Sequence, residues 1–245
     1  MSTRVAVVTG ASKGIGLSIA AALLEQGHQV VITGRDGTRL ADAAEELGHS
    51  NCLRTLQLDA TDHIGAAEEL SALAPDIFVA NVGMSYSAAI DKTPLEDWNR
   101  VLDTNVTSAF SAIQAVLPAM RDRSWGRVVT VGSFASHQPI RFGVAYTASK
   151  HALLGLTRAL ALDFRGSGVT LNMVAPAFVR TDMMVDNARR IAAATSRSVE
   201  EVENQLGAVS DLGRLIEPAE VAEQVVELIN GDRTGELVAM GNAPD

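Results

Sequence analysis

The chain has 245 residues, 47% hydrophobic and 20% charged, with a formal net charge of −9. Such a composition is globular, and the length fits one large α/β domain or two small ones. The acidic balance argues against a general nucleic-acid binder, and no run of about 18 uncharged apolar residues suggests a membrane span. The single cysteine, Cys52, permits no intramolecular disulfide, and the N-terminal apolar stretch is too short for a secretory segment. A soluble, cytoplasmic protein is expected.

Val5–Gly10 (VAVVTG) reads as a buried strand, followed by a helix over Gly14–Gly27 with a glycine stop. Gln29–Gly34 is the next strand and Gly37–Gly48 the next helix. Further strands are read at Leu53–Asp59, Asp76–Asn81, Gly126–Ser133 and Gly168–Pro176, with a short last one at Glu236–Met240. Helical patterns separate nearly all of them. One, Ala145–Phe164, has apolar residues at helical spacing: Ala148, Ala152, Leu153, Leu156, Ala159, Leu160 and Phe164. Continuous apolar strands alternating with helices predict an α/β protein. The expected form is a single domain over 1–245, a doubly wound, Rossmann-type parallel sheet of about seven strands with helices on both faces. Arg180–Leu215 breaks the rhythm. It is polar and charged, lacks a clear strand, and precedes a helix opening at Pro218, so it reads as a long irregular insertion serving as a substrate lid.

The first strand runs directly into TGASKGIG, with glycines at 10, 14 and 16. Glycine lets a backbone turn sharply and approach a ligand closely, and the following helix points its N–H groups at an anion such as a pyrophosphate. A triphosphate P-loop is excluded, because Gly14 is followed by Ile15 where that motif needs lysine. The spacing G-x-x-x-G-x-G also differs from the usual dinucleotide pattern G-x-G-x-x-G.

Tyr146 and Lys150 stand four apart, which puts phenol and ammonium on one face of a helix. A lone Y-x-x-x-K is weak. Together with T-G-x-x-x-G-I-G at the N-terminus, it resembles the short-chain dehydrogenase/reductase superfamily in its compact branch, and the resemblance covers essentially the whole chain. It is similar to 3-oxoacyl-thioester and polyketide ketoreductases about as well as to general alcohol dehydrogenases.

The resemblance implies an oxidoreductase that moves a hydride between a nicotinamide and a carbonyl or alcohol. Gly10, Gly14 and Gly16 match the glycine turn, with Ser12, Lys13 and Ile15 as further cofactor contacts. Asp59 matches the adenine-contacting aspartate, with Ala60 beside it. Asn81 and Gly83 follow the fourth strand, and Pro176, Val179 and Thr181 follow the sixth, all as implied cofactor contacts. Asn105 (in DTNV), Ser133, Tyr146 and Lys150 match the catalytic tetrad, the last two also touching the cofactor. The implied assembly is a homotetramer or homodimer, with helices near Trp98–Met120 and Tyr146–Phe164 pairing. Two departures stand out. The family's N-N-A-G is here A-N-V-G (Ala80–Gly83), which bears on backbone support behind the cofactor. Its P-G is here P-A (Pro176–Ala177), which puts a methyl beside the nicotinamide end.

In this reading Tyr146 gives a proton to the alkoxide formed on reduction. A phenol titrates near ~10, and bringing it to near 7.5 takes about 3.4 kcal/mol. A unit positive charge ~4 Å away contributes about 4 kcal/mol at an effective dielectric near 20, so Lys150 is of the right size to lower Tyr146. Ser133 would bond the substrate oxygen. The resemblance implies that Asn105 holds a water linking Lys150 to solvent. By position, Ser85, Tyr86, Phe134, His137, Phe178, Met183 and Met184 are expected to line the substrate pocket with Ser133 and Tyr146. The second strand ends in Gly34–Arg35, without the acid that binds an NAD ribose. Lys13 and Arg35 are expected to meet a 2′-phosphate, so the cofactor is NADP(H). Asp36 is expected to cap the helix from Gly37.

Rival chemistries lack support. The histidines (28, 49, 63, 137, 151) show no ligand spacing, so no metal is expected. Ser133 lies in G-S-F-A-S rather than G-x-S-x-G, so it is no nucleophile elbow. A non-catalytic NADP-binding regulator, or a lyase or dehalogenase on the same scaffold, is the alternative. The intact tetrad and glycine turn argue against it.

Overall fold

Valine and isoleucine fill the central strands, where branched side chains pack well on a pleated surface buried from both sides. In the computed structural model, which describes residues 2–48, 51–208 and 210–241, these strands form one sheet. His49 lies outside the described residues. The strands are β1 (Val5–Val8), β2 (Gln29–Gly34), β3 (Leu53–Gln57), β4 (Ile77–Ala80), β5 (Gly126–Val131), β6 (Val169–Pro176) and β7 (Leu237–Met240). All pair in parallel in the order β3-β2-β1-β4-β5-β6-β7, with Val8 between Ile32 and Val79. The winding direction reverses between β1 and β4. Their C-terminal ends therefore open a crevice, where ligands of such sheets bind.

The helices are α1 (Gly14–Glu25), α2 (Gly37–Glu46), α3 (His63–Leu73), α4 (Leu95–Leu102), α5 (Ser108–Asp122), α6 (Val144–Asp163), α7 (Asp182–Thr195), α8 (Val199–Ala208) and α9 (Pro218–Asn230). The twofold alternation of a strand sends neighbouring side chains to opposite faces. Ala6, Val8, Ile32 and Val79 pack with Ile19 and Leu23 of α1, Leu40 of α2 and Val225 of α9. Val7, Val31 and Phe78 pack on the other face with Leu70 of α3, Ile113 and Val116 of α5 and Leu153 of α6. Helices thus cover both faces, as expected. Pro118 lies inside α5 without ending it.

Several expected boundaries are corrected. Asp59, Asn81 and Ser133 lie beyond the ends of β3, β4 and β5 rather than within them. All three have left the ladder at the same sheet edge, which is what frees their side chains for a site. The buried stripe of α6 is also not the one read from spacing. Ala152 and Ala159 are exposed, and Ala148, Leu156, Leu160 and Phe164 are only partly buried. The face toward the sheet is Ala145, Ser149, Lys150, Leu153, Leu154, Thr157 and Ala161. Two of its polar members are satisfied internally, as when the Thr157 and Thr130 hydroxyls meet at 2.9 Å.

The insertion expected to be irregular is a helix pair, α7 and α8, with its own apolar seam of Met184, Ala188, Ala192, Val202 and Leu215. The spacing 184, 188, 192 is one helical stripe, masked in the sequence by the charges of Asp186, Arg189 and Arg190 between them. A backbone bridge closes its base: Arg180 N donates to Ile216 O at 2.8 Å and Ile216 N donates to Phe178 O at 2.9 Å. Among the described residues no helix is long and apolar enough to cross a membrane, and no group of three or more His, Cys, Asp or Glu could hold a metal ion.

Candidate active site

Gly10 (φ +63°) and Gly14 (φ +59°) take left-handed backbone, which side chains rarely adopt, so the turn after β1 requires glycine at both. Gly16 meets a different demand, close approach. A Cβ there would lie 2.5 Å from Asn81 Nδ2 and 2.7 Å from the Gly10 carbonyl oxygen. Asn81 is the reason for that crowding. Its amide donates to the carbonyls of Thr9 at 3.0 Å and Gly10 at 3.1 Å, locking the turn from behind. Thr9 reinforces this, accepting from Asn81 N at 3.0 Å and donating to Val79 O at 3.2 Å. The A-N-V-G departure therefore keeps the support, since Asn81 carries it and Val82 merely packs beside Gly10. The turn leaves an open cradle at the start of α1, whose free N–H groups suit a pyrophosphate.

Ser12, Ile15 and Lys13 lie on this turn, and Ala60 lies beside Asp59, as the sequence places them. Asp59 accepts from Thr61 N at 2.9 Å and Thr61 Oγ1 at 2.7 Å. These bonds, with Arg35 and His63 nearby, hold its carboxyl below the usual range. Arg35 is exposed at the end of β2, its carbonyl accepting from Gln57 Nε2 at 3.0 Å. Asp36 caps α2, accepting from Thr38 N at 3.0 Å and Arg39 N at 3.2 Å. Its carboxylate is thereby engaged by its own helix, with the Arg39 guanidinium also 3.4 Å away. Lys13 is not a lone cation facing the cleft, because its ammonium pairs with Asp182 at 3.1 Å.

The four tetrad positions come from three loci. Ser133 caps a short 3₁₀ turn after β5, accepting from Ala135 N at 3.2 Å, while Ser136 Oγ accepts from Ser133 N at 3.1 Å. Tyr146 and Lys150 sit on α6, and the Lys150 ammonium lies 5.9 Å from the Tyr146 ring centre. Ser133 stands close enough to the Tyr146 phenol to favour its ionised form. Lys150 is buried and donates to the Val131 carbonyl at 3.1 Å.

Burial sets the electrostatics and corrects the expectation of a lowered phenol. Desolvation pushes Tyr146 above its ordinary value, against the smaller opposing effect of Ser133. Desolvation also pulls Lys150 down to about 8. Removing water penalises both charged forms, so burial disfavours the Tyr146 phenolate and the Lys150 ammonium alike. Tyr146 is consequently a protonated acid at neutral pH, and Lys150 is still charged.

Asn105 is fully buried in a single π turn, Asp103–Thr107, that joins α4 to α5. Such turns interrupt the regular ladder and turn a side chain inward. Asn105 Oδ1 accepts from Met84 N at 2.7 Å, and its two N–H groups donate to Met84 O at 3.0 Å and Ser149 Oγ at 2.9 Å. Its amide donors are thus engaged by protein groups. A methyl placed on Gly83 would lie 3.4 Å from both Asn105 Oδ1 and Lys150 Nζ, so the absent side chain leaves a gap between them. Sequence reasoning missed Ser149 and Thr9. A serine between Tyr146 and Lys150, and a threonine ending an apolar strand, were the available signals.

Past β6, Pro176 ends the strand, Ala177 N donates to Met240 O at 2.9 Å, and Val179 bridges Ile216. Thr181 caps α7 and its methyl would meet a Cβ on Gly14 at 3.3 Å. The expected pocket residues divide. Phe134 and His137 meet edge to face at 5.7 Å beside Ser133, and Met183 is exposed at the start of α7. Phe178 packs partly into the α7–α8 seam and Met184 lies wholly in it, which removes Met184 from the pocket. Tyr86 is tied to Asp97 at 2.9 Å, its phenol pushed up by burial and that carboxylate.

A proton donor beside a hydroxyl, a buried cation and an anion cradle at one sheet edge suit hydride exchange with a carbonyl. The chain matches the model of the short chain dehydrogenase family over residues 4–192. It is 33% identical over 246 residues to a 3-oxoacyl-acyl-carrier-protein reductase of Vibrio harveyi, covering 96% of this chain and 94% of that protein. An actinorhodin polyketide ketoreductase variant with NADPH superposes with TM-score 0.93 at 31% identity, covering 98% of this chain and 96% of the other. The RhlG/NADP active-site complex of Pseudomonas aeruginosa superposes with TM-score 0.87 at 32% identity, covering 99% and 96%. The chain belongs to the short-chain dehydrogenase/reductase family.

Proposed function

We propose that this protein is an NADP(H)-dependent ketoreductase, a single domain in which Asn105, Ser133, Tyr146 and Lys150 carry the chemistry and residues 180–215 close over the substrate. The observation that carries this reading is the buried Lys150 ammonium, 5.9 Å from the Tyr146 ring and held by the Val131 carbonyl at the end of β5, the sheet edge where the glycine cradle opens. The nicotinamide, when bound, supplies the hydride. Ser133 Oγ bonds the substrate carbonyl oxygen and steadies the charge growing on it. Tyr146, held protonated by burial, delivers its proton to that oxygen. Lys150, charged below about 8, stabilises the phenolate left behind. A water in the gap beside Gly83, between Asn105 Oδ1 and Lys150 Nζ, returns the proton from solvent.

The substrate class is a 3-oxoacyl thioester or a related ketone. The names of the relatives support it, as does the apolar ring of Phe134 beside Ser133. The protein acts in the cytoplasm as a homotetramer or homodimer. Phe110 and Leu117 of α5 line an outward groove with Leu160 and Phe164, and Leu162 nearby is 62% exposed. An apolar strip of that kind supports helix pairing between copies. A carbonyl panel with NADPH tests the activity, Tyr146→Phe serving as the control; no consumption with any ketone or 3-oxoacyl thioester would overturn it. Light scattering at micromolar protein tests the assembly, and a monomeric mass would refute it.

A further inference from the structure

Lys13 occupies the N-cap position of α1 with extended backbone (φ −172°, ψ 170°) and makes no side-chain cap bond. Its ammonium reaches instead across to Asp182, the first residue of α7, with Nζ 3.1 Å from Oδ2. Thr181, the residue before Asp182, stands beside Gly14, close enough that a Cβ there would lie 3.3 Å from its methyl, so the start of α7 faces the glycine turn. Other charges of this region are engaged elsewhere. Arg180 pairs with Glu217 at 2.9 Å and Glu203 at 3.6 Å, and Arg189 pairs with Asp186 at 3.0 Å. Asp182 is 70% exposed and Lys13 49% exposed, so solvent and salt weaken their attraction and the ammonium can be drawn away.

We propose that Asp182 tunes cofactor selectivity by competing with the 2′-phosphate of NADP(H) for the Lys13 ammonium. This rests on the reading that Lys13 and Arg35 receive that phosphate. A phosphate dianion near the glycine turn pulls Lys13 from its carboxylate partner, and the free energy of the broken pair is subtracted from binding. NAD(H) carries no 2′-phosphate and leaves the pair intact. Asp182 therefore lowers affinity for the phosphorylated dinucleotide alone and narrows the gap between the two cofactors. Arg35, whose charge acts on Asp59, is no part of the Lys13–Asp182 pair, so it is untouched by this competition and keeps the preference for NADP(H).

The test is titration of NADPH and NADH against the full-length parent, Asp182→Asn, Lys13→Ala, the double variant and Arg35→Ala. Asp182→Asn is expected to tighten NADPH by up to about fivefold, or about 1 kcal/mol at 1.4 per tenfold, with NADH unchanged. In the Lys13→Ala background the same substitution is expected to change nothing, because the competition needs the ammonium. Asp182→Glu keeps the charge and is expected to behave as the parent. Weaker NADPH binding in Asp182→Asn, equal shifts for both cofactors, or a full effect without Lys13 would each overturn the proposal. If Lys13→Ala and Arg35→Ala leave NADPH affinity unchanged, the phosphate reading itself fails. If they weaken it while Asp182→Asn does not tighten it, only the competition fails.

Discussion

Ser149 accepts a hydrogen bond from the Asn105 amide at 2.9 Å and donates one to the Tyr146 carbonyl at 2.7 Å. One buried hydroxyl thus couples the π turn to the helix that carries both Tyr146 and Lys150. Ser149→Ala leaves an amide hydrogen of Asn105 buried without an acceptor, at a cost of about 1–3 kcal/mol. Urea unfolding should show that loss. Turnover should fall by more than NADPH affinity does, because the lost bonds run to Asn105 and the Tyr146 backbone.

Tyr146→Phe removes the proton donor and keeps the ring. NADPH affinity should stay within about twofold of the parent, while kcat falls by roughly 10²–10⁴, the usual worth of a positioned acid. Parallel titration and steady-state kinetics check it, and a kcat comparable to the parent's would remove Tyr146 from the proposed chemistry.

Lys150 has a definite pH signature. Folding lowers it from 10.5 to about 8. Between these values the unfolded chain binds more protons than the folded one, so stability rises with pH across that window. Below about 8 the burial penalty is present in full. Lys150→Met should therefore be more stable than the parent at pH 7, by up to about 3 kcal/mol, with the advantage shrinking toward pH 10. Reductase kcat/KM of the parent should decline above about pH 8 as the ammonium loses its proton. Denaturation midpoints and a pH–rate profile read both effects.

Gly83→Ala fits sterically, since its methyl would lie 3.4 Å from Asn105 Oδ1 and Lys150 Nζ. It fills the gap through which we route the returning proton. Thermal stability should hold while kcat drops about tenfold or more. The solvent isotope effect should rise, as proton delivery becomes limiting. An unchanged kcat would place the proton path elsewhere.

Cofactor preference is open to exchange at the end of β2. A Cβ on Gly34 would meet Leu40 and Ser12 at 3.5 Å, an ordinary contact, so Gly34→Asp is tolerated there. Its carboxylate should repel the 2′-phosphate and shift preference toward NADH. Arg35→Ala should weaken NADPH by a factor of roughly 10–150, the worth of one charge-assisted bond, and spare NADH. Better kcat/KM with NADH than with NADPH in the parent would overturn the roles given to both positions.

The parts legible in sequence are those decided within a few residues. Strand and helix periods set the β/α order, and the glycines of TGASKGIG announced backbone that only glycine takes easily. Asp36 was legible as a cap because capping is a contact over two or three residues, and Tyr146 and Lys150 were legible through the helical repeat. Tertiary structure decided what depends on a distant partner. Which stripe of α6 is buried follows from the sheet it meets, so Ser149 and Thr157 turn inward while Ala152 and Ala159 face out. The π turn that buries Asn105 exists because Met84 and Ser149, distant in sequence, supply its hydrogen-bond partners. The phenol of Tyr146 is raised rather than lowered by desolvation, which no residue spacing reveals. Lys13 meets Asp182 only because α7, 169 positions along the chain, folds back onto the glycine turn.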